Sequence, residues 1–152
     1  MTAIAPGTDN LSLSITEEVH IKAPIAATFA ALLEEMGPSN KGHNDTPMPM
    51  KLEAWPGGRW FRDLGDGNGH LWGHVQAIKR PTLLEITGPL FMSSPVVSNV
   101  QYRLTQVDGG TLIAFRHTAF GFVPEEYRDV KKGWVPLLDR IRARAESNRT
   151  TH

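Results

Sequence analysis

Apolar and polar side chains alternate through residues 11–22, where Leu13, Ile15, Val19 and Ile21 share one parity. This alternation predicts a strand with one buried face. In the next segment, Ile25 to Met36, apolar residues recur at helical spacing instead, and Gly37 with Pro38 marks the end of the pattern. The chain is therefore predicted to begin with a strand followed by a helix.

Between residues 50 and 120 the pattern repeats as strand, tight turn and strand. Turn-forming glycines and prolines predict breaks between six strands, and these strands are expected at 50–55, 59–64, 70–78, 83–87, 96–107 and 111–119. Residues 39–49 are rich in Asn, Gly and Pro, which predicts a loop. Loops of this length are often parts of binding sites.

From Pro124 the period becomes helical, and Pro124 itself suits the first turn of a helix. Acidic residues near the start and arginines near the end complement the helix dipole. The predicted buried stripe consists of Tyr127, Val130, Trp134, Leu137, Leu138, Ile141 and Ala145. Pro136 removes a backbone donor inside this helix, and with Gly133 just before it we expect a kink or a split into two segments.

These elements predict an α+β fold in one domain, residues 11–147, with flexible tails at 1–10 and 148–152. One face of such a sheet needs an apolar cover, and only the last helix is long enough to supply it. The space between the sheet and this helix is where a small apolar or amphipathic molecule would bind. Binding of such a molecule is the leading functional hypothesis.

Composition narrows the possible functions further. The 152 residues include no cysteine, which excludes disulfides, thiolate zinc sites and cysteine nucleophiles. Sixteen basic residues balance sixteen acidic ones, so no nucleic-acid partner is expected. No apolar run approaches the roughly 20 residues that span a bilayer, so no membrane partner is expected and a cytoplasmic location is predicted. No cofactor is predicted.

Two histidines in the third strand of this series raise the question of a metal site. In an extended strand, His70 and His74 lie about 13 Å apart, too far to bind one ion, so no metal site is predicted. Trp72 shares their parity and is opposite to Val75, which predicts that Trp72 lies on the outer face of the sheet as part of a protein interface.

Two polar side chains are predicted to face the covered side of the sheet. His117 shares parity with Ile113 and Phe115, and Tyr102 shares parity with Val100 and Leu104. A buried histidine needs hydrogen-bond partners or cavity water, so His117 is either a satisfied structural residue or a polar anchor or proton donor for a ligand. Tyr102 is likewise either a ligand contact or a core tyrosine bonded to backbone.

Four segments resemble one known family. They are Trp55-Pro-Gly-Gly-Arg-Trp60, the stretch from Gly73-His-Val75 to Leu84, the strand Gly110-Thr111 to Phe120, and Gly133-Trp134 with Leu137 and Ile141. In their order and spacing they resemble the homologues of the activator of the ninety-kilodalton heat-shock chaperone's ATPase. This family belongs to the START-like (SRPBCC, helix-grip) superfamily, and the resemblance covers roughly residues 13–146.

The resemblance implies a helix-grip fold, in which a curved antiparallel seven-stranded sheet wraps the C-terminal helix and leaves a cavity. Members of the superfamily include co-chaperone domains, carriers of apolar ligands and polyketide cyclases. The chaperone activator has a separate amino-terminal domain for which this chain has no room, so chaperone activation is not expected from the family name. The helix pair that is usual in the superfamily is reduced to the loop around 41–49, which could alter the cavity entrance.

Ten residues are predicted to form the binding site. His117 and Tyr102 would orient the ligand, and the loop 40–49 and the segment Phe91-Met92 would flank the entrance. The remaining lining residues are Phe115, Val100, Leu104, Trp134, Leu137, Ile141, Trp60 and Phe91.

Two alternatives stay open. One is a cyclase, hydrolase or dehydratase, which needs His117 within reach of a second titrating group. The other is a co-chaperone-like protein-interaction module, which predicts a filled interior and an exposed apolar patch around Trp72. A homodimer through a sheet edge or face is compatible with each of these functions.

Overall fold

The computed structural model describes residues 11–129 and 131–148 of the chain. The elements in chain order are β1 (Ser12–Ile21), α1 (Ile25–Met36), a 3-10 turn (His43–Asp45), β2 (Lys51–Leu52), β3 (Arg59–Gly65), β4 (Asn68–Lys79), β5 (Leu83–Gly88), β6 (Val96–Val107), β7 (Gly110–Gly121), a second 3-10 turn (Glu125–Tyr127) and α2 (Lys131–Asn148). The predicted tail 1–10 and residues 149–152 lie outside the described part.

All seven strands join one antiparallel sheet in the order β1-β7-β6-β5-β4-β3-β2. The inward-facing residues of this sheet pack against α1 and α2 in one main apolar core. The predicted α+β helix-grip architecture is therefore confirmed. Within the described residues, no helix is long and apolar enough to cross a membrane.

Two predicted elements are shorter than the sequence pattern indicated. β2 covers only Lys51 and Leu52, because the chain then leaves the sheet for a tight turn in which a Cβ on Gly58 would lie 1.8 Å from the Glu53 carbonyl oxygen. The last helix begins at Lys131 and not at Pro124, since a 3-10 turn comes first and brings the Tyr127 ring to 5.1 Å from that of Phe91. Val130 of the predicted stripe lies outside the described residues.

The predicted split of the last helix at Pro136 is wrong, because α2 runs unbroken from Lys131 to Asn148. Pro136 lies only one turn and a half from the start of the helix, and both Pro136 and Lys132 are exposed. The carbonyl of Lys132, which loses its intrahelical donor to the proline, can therefore bind water. Asn148, the first residue of the predicted C-terminal tail, is the last residue of this helix.

The predicted outward orientation of Trp72 is also wrong. Trp60 pairs with Gly73 and Phe61 pairs with Leu71, so Trp72 is the extra residue of a β-bulge. A bulge reverses the parity of the residues beyond it. Trp72 therefore packs on the inner face, with its ring 5.0 Å from that of Trp60.

A buried carboxylate joins the two helices. Glu35 of α1 has a side chain only 5% exposed, and it accepts hydrogen bonds from Arg140 Nε at 3.2 Å and Arg144 Nε at 2.7 Å. The arginines are four residues apart and therefore lie on one face of α2. Because charges of both signs are shielded from water together, the three side chains fix how α2 lies against α1.

We expect Glu35→Ala to lower the free energy of unfolding by about 3 kcal/mol, because it leaves two guanidinium groups in a partly buried site without their acceptor. Urea unfolding monitored by circular dichroism measures this change. Arg142→Ala on the same helix is the matched control, since Arg142 is 45% exposed and its ion pair among the described residues is with Asp139, one turn away. This control should change stability by less than about 0.5 kcal/mol. Equal effects of the two substitutions would contradict the structural role of Glu35.

Candidate functional site

A half-open pocket of about 590 Å³ lies between the loop after α1, the β3–β4 end of the sheet, Phe91 and the first half of α2. It is lined by Asn40, Lys41, Gly42, His43, Asn44, Asp45, Met48, Trp60, Trp72, Phe91, Glu126, Tyr127, Lys132, Gly133, Trp134, Pro136, Leu137 and Arg140. This volume is in the range of sites for small organic ligands. The loop that was predicted to flank an entrance forms one wall.

The inner wall of the pocket is a connected set of aromatic rings. The Trp72 ring lies 5.0 Å from Trp60 and 5.7 Å from Phe91, and Phe91 lies 5.1 Å from Tyr127 and 6.5 Å from Trp134. Their planes meet at 53° to 82°, so both ring faces and ring edges are turned toward neighbours. Such contacts stabilise each pair by about 0.5–1.5 kcal/mol beyond area burial. The wall is therefore apolar and well packed.

The outer rim is polar and is tied to α2 through Arg140. This side chain donates to the Lys41 carbonyl oxygen at 3.4 Å and lies 3.7 Å from an Asp45 carboxylate oxygen. Asn44 and Asp45 both have left-handed backbone, with φ of 56° and 57°, which side chains other than glycine adopt at a cost. The loop keeps this conformation because Arg140, itself held by Glu35, bonds to it at two points.

Phe91 reaches the pocket because of an unusual residue before it. Leu90 is fully buried, yet its φ is +59°, and its N–H donates to the Trp72 carbonyl oxygen at 2.7 Å. Left-handed backbone costs a leucine about 1–2 kcal/mol, which its burial and this hydrogen bond offset. The turn directs the Phe91 ring between Trp72 and Tyr127.

The ten predicted site residues divide into two groups. Trp60, Phe91, Trp134 and Leu137 line the pocket. The other six are at most 3% exposed and form the core under β6, β7 and α2; they are Val100, Tyr102, Leu104, Phe115, His117 and Ile141. Met92, predicted to flank the entrance with Phe91, is buried in a small second core cluster.

His117 has a hydrogen-bond partner on each ring nitrogen. Trp134 Nε1, which can only donate, lies 3.0 Å from Nδ1, so Nδ1 is the acceptor and the proton of the neutral ring is on Nε2. Nε2 lies 3.0 Å from Ser98 Oγ, which accepts that proton's hydrogen bond. Burial lowers the pKa of His117 to about 4, so the ring is neutral at pH 7. This geometry matches the structural alternative for His117.

Tyr102 has a similar environment. It is fully buried, its ring lies 5.0 Å from that of Phe115, and its hydroxyl donates to Met36 Sδ at 3.3 Å. Burial raises the pKa of the Tyr102 hydroxyl far above its usual range. The Tyr102 side chain therefore contacts α1 and β7 and does not reach the pocket wall.

Sequence reasoning missed several residues of the pocket. Trp72 was missed because a bulge is not visible in an alternating pattern, and Tyr127 because it was assigned to the buried stripe of the helix. Arg140 could have been found, since Arg140 and Arg144 are spaced four apart beside Leu137, Ile141 and Ala145. Such a pair at the edge of an apolar stripe indicates a buried acid on the facing helix.

A family model described as "Activator of Hsp90 ATPase homolog 1-like protein" matches residues 22–146. No curated protein sequence matches the chain. Among solved structures, protein MLL2253 from Mesorhizobium loti superposes with a TM-score of 0.63 at 21% identity, covering 91% of this chain and 99% of that one. Protein CV1439 from Chromobacterium violaceum gives a TM-score of 0.68 at 16% identity, covering 88% and 96%.

A third similar structure is the di-domain ARO/CYC StfQ from the steffimycin biosynthetic pathway. Its TM-score is 0.64 at 12% identity, and the match covers 93% of this chain and 53% of that one. The chain therefore corresponds to about half of that protein. At these identities the three structures establish a shared fold.

The environment of His117 generates a pH prediction. The unfolded chain binds a proton at the ordinary histidine pKa near 6.5, and the folded chain binds it only near 4. Stability is therefore complete above about pH 6.5 and falls as the pH drops toward 4, by as much as about 3 kcal/mol. Urea titrations between pH 7.5 and 4.5 measure the slope. His117→Gln should flatten it, and an unchanged slope in this variant would contradict the assignment.

Proposed function

We propose that this chain, which belongs to the Activator of Hsp90 ATPase homolog 1-like protein family, binds a small hydrophobic or amphipathic molecule in the pocket beside α2. The family and the fold support a ligand-binding domain. The chemical class of the molecule that we propose is argued from the residues that line the pocket and not from the family name.

The observation that carries the proposal is the division of the pocket into an aromatic wall and a polar rim. Trp60, Trp72 and Trp134 with Phe91 form the wall, while the rim carries charged and amide side chains from 40–45 and α2. An apolar body would contact the rings, and a polar end would remain at the half-open rim. This arrangement favours an amphipathic molecule over a fully buried hydrocarbon.

The contacts of the other predicted residues do not favour the two alternative functions. An acid-base enzyme was expected to place His117 near a second titrating group, whereas the described side chains that bond to its ring nitrogens are Ser98 and Trp134. A protein-interaction module was expected to expose apolar surface around Trp72, which instead faces the pocket. Binding without turnover is therefore the function that we propose.

Gly133 offers a direct test, because it lines the pocket and a Cβ at this position would have no other atom within 4 Å. We expect wild-type protein to bind 1-anilinonaphthalene-8-sulfonate (ANS), an apolar ring system with one anionic group. Gly133→Phe should weaken this binding at least tenfold, because the new ring occupies the space of the probe. Fluorescence titration of ANS at fixed protein concentration gives both affinities.

Gly133→Ala is the matched control. It adds one methyl group, should leave ANS affinity within about twofold, and should raise helix stability by up to about 1 kcal/mol. Thermal unfolding of both variants confirms that they are folded. Unchanged ANS affinity in folded Gly133→Phe would show that the probe binds elsewhere and would overturn the proposal.

A further inference from the structure

We infer that the pocket selects a flat aromatic molecule carrying a neutral oxygen acceptor, which is held by the indole N–H of Trp72 and the hydroxyl of Tyr127. This inference rests on the proposed function and adds the class of ligand. It is drawn from the hydrogen-bond groups that remain unused on an otherwise apolar wall.

The three tryptophans of the pocket differ in one respect. Trp60 Nε1 donates to the Met36 carbonyl oxygen at 2.8 Å, and Trp134 Nε1 donates to His117 Nδ1 at 3.0 Å. Within residues 11–129 and 131–148, nothing accepts a hydrogen bond from Trp72 Nε1, and the residue is partly buried against the core. A molecule lying on this wall would remove the indole N–H from water, and indole N–H groups in that position usually have an acceptor. Trp72 thus has a donor available to a ligand.

Tyr127 provides a second unused group. Its hydroxyl also has no partner among the described residues, and its ring is half-buried on the same wall. The rings of Trp72 and Tyr127 lie 5.7 Å and 5.1 Å from that of Phe91, so both residues are neighbours of one ring. A molecule lying on this wall would contact both residues.

The chemistry of these two groups defines what they can bind. An indole N–H only donates, so its partner must be an acceptor, and a tyrosine hydroxyl can donate to the same kind of atom. The rings beside them offer faces and edges to another ring. A flat ring system with a carbonyl or similar oxygen at its edge therefore satisfies the donors and the aromatic wall together.

The charges at the rim favour a neutral oxygen over a carboxylate. Arg140 lines the pocket, and it is engaged by Glu35, Asp45 and the Lys41 carbonyl. Lys132 pairs with Asp129 at 3.1 Å. Arg140 and Lys132 are thus engaged by acids of the chain itself, and Glu126 of the lining carries the charge opposite to that of Lys41, its other lysine. The wall therefore selects by hydrogen bonding and not by ion pairing.

The test compares two probes that share a flat tricyclic skeleton. 9-Fluorenone carries one carbonyl oxygen where fluorene carries a methylene group, and equilibrium dialysis measures the affinity of each without relying on tryptophan fluorescence. We expect Tyr127→Phe and Trp72→Phe each to lower the ratio of fluorenone to fluorene affinity roughly three- to tenfold, the value of one hydrogen bond.

Tyr102→Phe is the matched control, because Tyr102 is the other tyrosine of the chain and its hydroxyl bonds to Met36 in the core. This variant should keep the wild-type affinity ratio. If the ratio is unaffected by Tyr127→Phe and by Trp72→Phe, the acceptor selection is overturned while ligand binding stands. If ANS binds and neither tricyclic probe does, the flat aromatic class is overturned. If ANS and both tricyclic probes fail to bind, the proposed function itself fails.

Discussion

The position of α2 depends on one buried carboxylate. Glu35 is placed on α1 among apolar neighbours, where an unpaired charge would be strongly destabilising. It is tolerated because Arg140 and Arg144 approach it from α2 at hydrogen-bond distance. An apolar stripe alone would allow α2 to rotate or slide against the sheet with little change in buried area. Directional ion pairs remove that freedom.

The pocket depends on this fixed position in two ways. Arg140 extends from Glu35 to the loop and bonds to it at Lys41 and Asp45, so the strained rim is built on the helix contact. One and a half turns earlier, Trp134 donates to His117 and lies 5.0 Å from Phe115, which closes the space above β6 and β7. The same helix therefore closes the interior above β6 and β7 and leaves the pocket beside the loop open.

Much of the fold could be predicted from the sequence, since period and turn chemistry are local properties. The bounds of α1 and β6 agree with the pattern, because Gly37 ends the first and the turn at 108–109 ends the second. Predictions from the local pattern failed where a contact between distant parts of the chain determines the backbone conformation. The bulge at Trp72 and the delayed start of α2 both place a ring against Phe91, and such contacts join residues far apart in the chain.

The binding site was harder to predict for a related reason. Parity states which face of the sheet a side chain occupies, but it does not state whether the space above that face is filled. His117 and Tyr102 do face inward, and there they meet Trp134, Ser98 and Met36, which complete their hydrogen bonds.

The open space lies instead over β3 and β4, where residues of the loop 40–48 form one wall of the pocket. A polar group in the filled part of the interior stabilises the protein, whereas one on the open wall remains available to a ligand. Trp134 and Trp72 illustrate this difference, because both line the same pocket, and among the described residues Trp134 Nε1 has an acceptor whereas Trp72 Nε1 has none. Under the proposed function, the residues that select a ligand are therefore those on the open wall whose polar atoms have no partner within the described part of the chain.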